Sequence, residues 1–413
     1  MKQNHSADSI KKMDENTGDT RSRTVSIPAK NKEDFTEFKS TNNHEIIHEI
    51  TPQMLKRILN DANSGATQSQ AVCYRLLLER EPIIASHIQT RIQAVLSCEW
   101  QIQGKNPRKN EEMKKILTKA DMYSLIRQLL DALIFGYAGA AILWDKGGSS
   151  IQEFMPVDPV NWIFDAAGNP ALICQDGTPA FLSAYHPAQF IFFCHKLQAG
   201  HPARGGLMRP LLWLCLYKHY AMHDRARYLE RYGIPFLAAK IRNEDFESEE
   251  IRKTVMESLS RMGSDGIGLL NEGANLQLLQ TSGNGTGEYQ SWLEYLDHLC
   301  TLMILGQTAT SSNASGFSKG QIQENVRRDL LEADCRALMN CLNTQLIAPL
   351  EYYRYGTEGE VKIQLDYSYP DNLVEKSTIV KNLTDAGYLI DPDWIRSTFA
   401  IQLCNPSNNQ EQK

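Results

Sequence analysis

The sharpest chemical pattern in the chain is His44-Glu45-Ile46-Ile47-His48. Two histidines one helical turn apart, with a glutamate beside the first, satisfy the HExxH arrangement of zinc peptidases. There both imidazoles bind Zn²⁺ and the carboxylate acts as general base on the metal-bound water. The surroundings argue against that use. The motif lies where a polar tail meets the first helix, and Pro52 interrupts the chain soon after it. A catalytic helix must be rigid and partly buried, and the preceding EFKSTNN offers nothing to bury it. His219 and His223 share the same helical spacing and read as polar positions on a helix. The glycines of GNGTG (283–287) lack the Lys-Ser/Thr that completes a phosphate-binding loop, so they read as a flexible connector. The acidic run from Glu244 to Glu250 reads as a solvated face. No Ser/His/Asp or Cys/His set assembles. The expectation is a protein without catalytic residues, metal or cofactor, and not an enzyme.

Composition narrows the class further. A chain of 413 residues has room for two or three domains, and 22% charged with 42% apolar residues describes a globular, non-membrane protein. No apolar run reaches the ~20 residues of a bilayer span, and the polar start lacks a secretory signal. Nine cysteines, an odd number without CxxC pairs, fit a reducing cytoplasm better than a disulfide framework. A net charge of −6 argues against gripping nucleic acid over the whole surface, yet is compatible with letting DNA pass.

The elements follow from periodicity. Residues 1–45 read as a disordered polar tail. Thr51-Pro52 opens a helix with Leu55, Ile58 and Leu59 as its stripe; helices around Val72–Leu78 and from Pro82 follow. Cys98, Trp100 and Ile102 alternate as in a strand, and further helix runs to about Tyr137. From Ala140 to His195 the period shifts to two, predicting a small, largely antiparallel β region. Leu207–Tyr232 then reads as one helix spanning roughly 39 Å. Gly205-Gly206 frees the chain before it, Pro210 lies in its first turn, and Gly233 and Pro235 stop it. Its first half is apolar on all sides and bracketed by Arg209 and Lys218; its second half is polar.

Pro235–Ile241 reads as a strand, Ser248 as the cap of a short helix carrying Ile251, Val255, Leu259 and Met262, and GIGLLNEGANLQLLQ as strand again. Beyond the glycine connector, Tyr289–Leu305 predicts a helix. A polar loop, TATSSNASGFSKG (308–320), leads to a long amphipathic helix from Gln321 to Ile347. Its expected stripe is Ile322, Val326, Leu330, Ala333, Ala337 and Cys341, with Pro349 as its end. Val361–Cys404 predicts a short strand with one or two helices, and 405–413 a polar tail.

The wording of several segments resembles the portal proteins of Mu-like bacteriophages and prophages. They are ITPQMLKRILNDANSG (50–65), IASHIQTRIQAVLSCEWQI (84–102), FGYAGAAILW (135–144), the long helix with its flanks (203–241), GIGLLNEGANLQLL (266–279), ILGQT (304–308) and VRRDLLEADCRALMNCLNTQLIAPL (326–350). They occur in the family's order. The resemblance implies an α+β portal fold: a wing over 46–205, a stem helix over 206–232, a small α/β clip over 233–285 and a second stem helix over 286–307. A tunnel loop over 308–320, a long wing or crown helix over 321–355 and a small C-terminal region over 356–404 complete it. The short C-terminal part leaves a developed crown in doubt.

The same resemblance implies a head–tail connector: a dodecameric homo-oligomer ring at one capsid vertex of the virion, assembled in the bacterial cytoplasm. Its partners would be the terminase large subunit, the major capsid and scaffolding proteins, the neck or head-completion proteins, and double-stranded DNA in the channel. Ser311, Ser312, Asn313, Ser315, Ser318 and Lys319 would face the DNA, and Glu249, Glu250, Arg252 and Lys253 would dock the terminase. The rival readings are another structural or scaffolding component of the virion, and the zinc peptidase.

Overall fold

A computed structural model of the chain describes residues 50–174, 176–232, 237–261, 267–271, 285–307, 317–367 and 373–399. The HExxH motif lies outside them. Three helices begin the body: α1 (Pro52–Asn63), α2 (Gln68–Arg80) and α3 (Pro82–Leu96). Thr51 caps α1 by accepting a hydrogen bond from the amide of Met54 at 3.3 Å, and Pro52 occupies the first turn, where no amide is needed. Leu55 and Ile58 are buried as the pattern predicts, with Ala62 completing the face. α2 extends beyond the expected Val72–Leu78 at both ends, because its buried face includes Gln70, whose amide donates to the carbonyl of Ala203 at 3.0 Å.

Strand β1 (Glu99–Gly104) follows, then α4 (Pro107–Lys119), α5 (Met122–Leu129) and the short α6 (Ala132–Phe135). The expected β region comprises β2 (Tyr137–Trp144), β3 (Ile151–Val157), β4 (Trp162–Phe164), β5 (Pro170–Ile173), β6 (Pro179–Phe181) and β7 (Phe190–Cys194). They form two antiparallel three-stranded sheets, ordered β3-β2-β7 and β4-β5-β6. All eight residues of β2 are buried, so it lacks the alternation of a half-exposed strand. Its small residues have a packing reason: a Cβ on Gly139 would stand 2.6 Å from both the Trp162 ring and the carbonyl of Ile191.

The long helix α7 (Met208–Tyr232) begins one residue after the expected start and reaches the expected Tyr232. The preceding glycines serve close packing as well as freedom. Gly206 has φ +75°, and a Cβ there would lie 2.5 Å from the amide of Gly136. Then come β8 (Leu237–Ile241), α8 (Asn243–Glu247), α9 (Glu249–Ser260) and β9 (Ile267–Asn271), with β8 and β9 paired in parallel through the helical crossover. Ser248 occupies the cap position of α9 without making a side-chain capping bond.

Helix α10 (Gly285–Leu305) starts earlier than expected and absorbs two glycines of the presumed connector into its first turn. Helix α11 (Phe317–Leu342) also starts early, so the backbone of Ser318 and Lys319 is helical rather than loop. Gly320 looks like a boundary in the sequence, but one helical glycine costs only about 1 kcal/mol, which a helix of 26 residues tolerates. The stripe of α11 is also corrected. Asp334, Cys335, Leu338, Cys341 and Leu342 are buried, whereas Ala333 and Ala337 are exposed.

Pro349 does not end this helix. A π turn over Asn343–Ile347, in which the amide of Ala348 reaches back to the carbonyl of Asn343, leads into α12 (Ala348–Tyr355). Widening the turn accommodates the missing N–H and the ring of Pro349. It also aims two amide side chains at strand edges. Gln345 accepts from the amide of Phe192 at 2.7 Å and donates to its carbonyl at 2.9 Å. Asn343 does the same to Ile363, at 2.8 and 3.1 Å. Each amide thus covers a backbone edge that would otherwise be open for pairing.

Ile363 belongs to β10 (Val361–Asp366), which pairs with β1. The turn before it is organised by the fully buried Glu351, which accepts from Thr357 Oγ1 at 2.8 Å and from the amides of Glu360 and Val361 at 3.3 Å. A separate unit begins at Asp366, and its described residues contain α13 (Leu373–Asp385) and α14 (Pro392–Phe399). The mixed helix-and-sheet architecture is the expected α+β class. Among the described residues, no helix is long and apolar enough to cross a membrane.

Candidate functional site

The candidate site is the helix pair α7 and α10 with its root in the body. The two helices are antiparallel: Lys218 meets Asp297, Arg225 meets Gln290 and the Tyr228 ring lies 6.0 Å from that of Tyr289. α10 also packs along α3, where His87 Nε2 and Thr301 Oγ1 are 2.9 Å apart. Burial lowers the pKa of His87, against the pull of Asp297.

Two buried charge clusters hold the root. In the first, the Lys218 ammonium lies 2.7 Å from both Glu81 Oε2 and Asp297 Oδ1, joining α7 to α10 and to the α2–α3 junction. Burial pulls its pKa down, but the hydrogen bonds with Asp297 and Glu81 outweigh this, and the net shift is upward. In the second, Arg91 on α3 grips Asp334 on α11 with two hydrogen bonds of 2.6 and 2.9 Å. Its third donor reaches the carbonyl of Ile304 at the end of α10, at 3.1 Å. His195 Nε2 stands 3.5 Å from the same carboxylate. Burial raises the pKa of Asp334, but the His195 and Arg91 hydrogen bonds overcome this and hold it below the usual carboxylate value.

Arg209 is likewise turned inward, donating to the Ala203 carbonyl at 2.8 Å and to Asn63 Oδ1 at 2.6 Å. The two cations that bracket the apolar run in the sequence therefore anchor the helix instead of ending it.

Beyond the root, the pair presents large apolar side chains outward. On α7, Tyr217 is 52% and Tyr220 40% exposed; on α10, Trp292 is 47% and Tyr295 52% exposed, with their rings stacked at 5.7 Å. Tyr217 and Tyr220 are three residues apart, as are Trp292 and Tyr295, so each pair lies on one helix face. Large exposed aromatics grouped in this way are the kind of apolar surface found at interaction sites.

The other sequence-derived residues are distributed as follows. Glu249, Glu250 and Lys253 are exposed in the first two turns of α9, where acids suit the positive end of the helix. Arg252 is half-buried, its guanidinium 5.8 Å from the Phe246 ring. Ile251, expected on the inner stripe, is 39% exposed. Ser311, Ser312, Asn313 and Ser315 lie outside the described residues; Ser318 and Lys319 fall in the first turn of α11. His219 and His223 are exposed, and no group of three metal-binding side chains occurs among the described residues.

Sequence reading missed Arg91, Asp334, Lys218 and Glu81. The available signal was a charge on an apolar stripe: Arg91 beside Ile88, Ile92 and Val95, and Lys218 between Cys215 and Ala221.

The family model described as the portal protein of Mu bacteriophage matches residues 71–401. The chain belongs to this family. It is a portal protein of the Mu-like type, a class of head–tail connectors. The Mu-like prophage FluMu protein gp29 of Haemophilus influenzae is 24% identical over 382 residues, covering 88% of this chain and 72% of that protein. The portal protein of Escherichia phage Mu is 24% identical over 403 residues, covering 88% of this chain and 76% of its own length. Among solved structures, a chain from the neck of an empty GTA particle, computed with C6 symmetry, aligns with a TM-score of 0.53 at 11% identity. That alignment covers 78% of this chain and 91% of the other, and shows the fold. The family is one of structural assembly proteins.

Proposed function

We propose that copies of this chain close into a ring at one capsid vertex and that double-stranded DNA passes through its channel during packaging and ejection. The observation that carries the reading is the outward aromatic face of the α7–α10 pair, set on a root fixed by buried charges. In a ring, each subunit offers two different faces to its two neighbours, and the interface closes by rotation. Tyr217 and Tyr220 on one helix and Trp292 and Tyr295 on the other are exposed and would supply these contacts. The names of the Mu-like relatives and the symmetric neck in which the GTA chain sits support the ring, and twelve copies is the number that the family resemblance implies.

In the same reading, 233–285 forms the clip and docks the terminase large subunit through Glu249, Glu250, Arg252 and Lys253. The segment from Thr308 to Gly320 faces the DNA with Ser311, Ser312, Asn313, Ser315, Ser318 and Lys319. Major capsid, scaffolding and neck proteins contact the ring from outside, and assembly takes place in the bacterial cytoplasm before the ring becomes part of the virion. A net charge of −6 suits passage, since each phosphate neutralised would add affinity to be broken at every step.

Electron microscopy of the purified chain tests this. Rings with a central channel are expected, and Trp292→Asp with Tyr295→Asp should give folded subunits that no longer close. A monomer carrying stoichiometric zinc would favour the peptidase, and irregular particles would favour a different virion component.

A further inference from the structure

Beside the Arg91–Asp334 ion pair, the same two helices bring two thiols together. Cys98 sits in the bend between the end of α3 and the start of β1, and Cys335 lies in α11, immediately after Asp334. The Sγ atoms are 3.9 Å apart, with Cys335 donating to Cys98, and the Cys98 thiol donates onward to the carbonyl of Ala94 at 3.5 Å. Cys335 is fully buried, whereas Cys98 is partly exposed. Closing a disulfide requires an S–S distance of about 2.0 Å, so the sulfurs must approach by roughly 1.9 Å. Closure needs rotation of both side chains, and Cys98 lies in a bend rather than in a helix or strand, where the backbone is least constrained.

We propose that Cys98 and Cys335 are a modification site, an oxidisable dithiol that closes into a disulfide stapling α3 to α11 when the protein meets a low-molecular-weight disulfide. The chemistry balances by two exchanges. The Cys98 thiolate, reachable from solvent, attacks one sulfur of the small disulfide, forming a mixed disulfide and expelling one small thiolate. The Cys335 thiolate then attacks Cys98 Sγ, breaks its bond to the second small thiol and expels that as thiolate. The two protons lost by the cysteines leave on the two small thiols. Two protein thiols are oxidised and one small disulfide is reduced.

The other buried thiols are poorer entrants. Cys73, Cys215, Cys300 and Cys341 are buried and burial raises each above the ordinary thiol value; Cys335 is raised as well, by its hydrogen bond with Cys98 and by burial, so it serves as the second thiol, acting on a mixed disulfide already beside it. The staple would close a loop across a sequence separation of 237 residues, where a cross-link restricts the unfolded chain strongly. A reducing cytoplasm would keep it open during assembly, and an oxidising exterior would let it close afterwards.

The test is to incubate the full-length protein in graded mixtures of reduced and oxidised glutathione, alkylate the remaining thiols, digest without reductant and map disulfides by mass spectrometry. The expected result is a dominant cross-linked peptide joining Cys98 to Cys335, reversed by dithiothreitol and absent from Cys98→Ser. In Cys335→Ser the reaction should halt at a glutathione adduct on Cys98. Cys98→Ser changes a partly exposed side chain, so it keeps the test usable should Cys335→Ser fail to fold. Three outcomes would overturn the proposal: a dominant disulfide between other cysteines, a persistent glutathione adduct on Cys98 of the unmodified sequence, or full alkylation of both thiols after prolonged exposure to oxidised glutathione.

Discussion

Replacing Asp334 with Asn isolates the electrostatic part of the root. The Asp334 side chain is 3% and the Arg91 side chain 10% exposed, so solvent screens their attraction little. Asn keeps the shape and one acceptor oxygen, and Arg91 keeps its bond to the Ile304 carbonyl. What is lost is the counter-charge, leaving a buried guanidinium uncompensated. Breaking a buried pair in this way costs about 3–5 kcal/mol, and the retained hydrogen bonds place this case near 3. At about 1.4 kcal/mol per decade, that is roughly a 150-fold increase in local opening.

Hydrogen exchange reads it directly, in peptides covering Leu338–Leu342 of α11 and in the amide of Gly306, which bonds to the Leu302 carbonyl at 2.9 Å beside the Arg91 contact. The comparison must hold assembly state constant. A double variant, Arg91→Met with Asp334→Leu, should exchange more slowly than either single variant, because no charge remains buried. Acid gives a second check. The pKa of Asp334 is held below its ordinary 3.8, so its contribution is present above that pH and disappears as pH falls through the lowered folded value. Asp334→Asn should lack that step. An increase in exchange below tenfold, or a double variant worse than both singles, would refute the view that this ion pair ties α3, α10 and α11 together.

Lys218→Met should loosen the other half of the root by about 3 kcal/mol, since it leaves Glu81 and Asp297 facing each other without a cation; a thermal unfolding midpoint unchanged from the unmodified chain would count against it. In the unmodified chain, the raised pKa of Lys218 means its contribution is complete below 10.5 and is lost only as pH climbs through the folded value. Charge reversal at Glu249, Glu250, Arg252 and Lys253 should leave rings intact and weaken terminase binding, and an affinity unmoved by all four reversals would remove this surface from the docking reading. Replacing Ser311, Asn313 and Ser318 with Arg should stall DNA passage at low salt and recover as salt rises, because the added phosphate contacts are salt-dependent; normal packaging at low salt, or rings that fail to form, would refute the channel placement.

Periodicity exposed the long elements because their cores are made of ordinary apolar stripes. Leu55 and Ile58 on α1, and Leu211, Leu212, Cys215 and Leu216 on α7, are buried where a helical face demands it. It misread places where one residue type serves two purposes. Pro349 signals a helix end in sequence, yet a π turn carries the chain through it. Gly285 and Gly287 signal a connector, yet a helix's first turn tolerates them, since its amides lack helical partners in any case. Gly206 signals freedom, which its φ of +75° uses, but the sequence does not show that the backbone at Gly136 also leaves no room for a Cβ.

The root was illegible for a deeper reason. A stripe is recognised by being apolar, and the residues that fix this root are charges placed within stripes. Asp334 breaks the pattern of α11, and the alanines beside it, Ala333 and Ala337, draw the predicted face away from the one that is buried. Only the three-dimensional arrangement shows that Asp334 answers Arg91, which comes 243 residues earlier, and that Lys218 answers Glu81 across 137. Both pairs are long-range, so no local window contains both partners. The outward aromatics pose the converse problem. Tyr217, Tyr220, Trp292 and Tyr295 look like core residues in a sequence and are core residues only if a neighbouring surface covers them. A single chain therefore shows them as exposed. In the proposed ring these faces would be buried and their side chains ordered on association, so the stability of the pair should depend on protein concentration until the ring closes, and become insensitive to it afterwards.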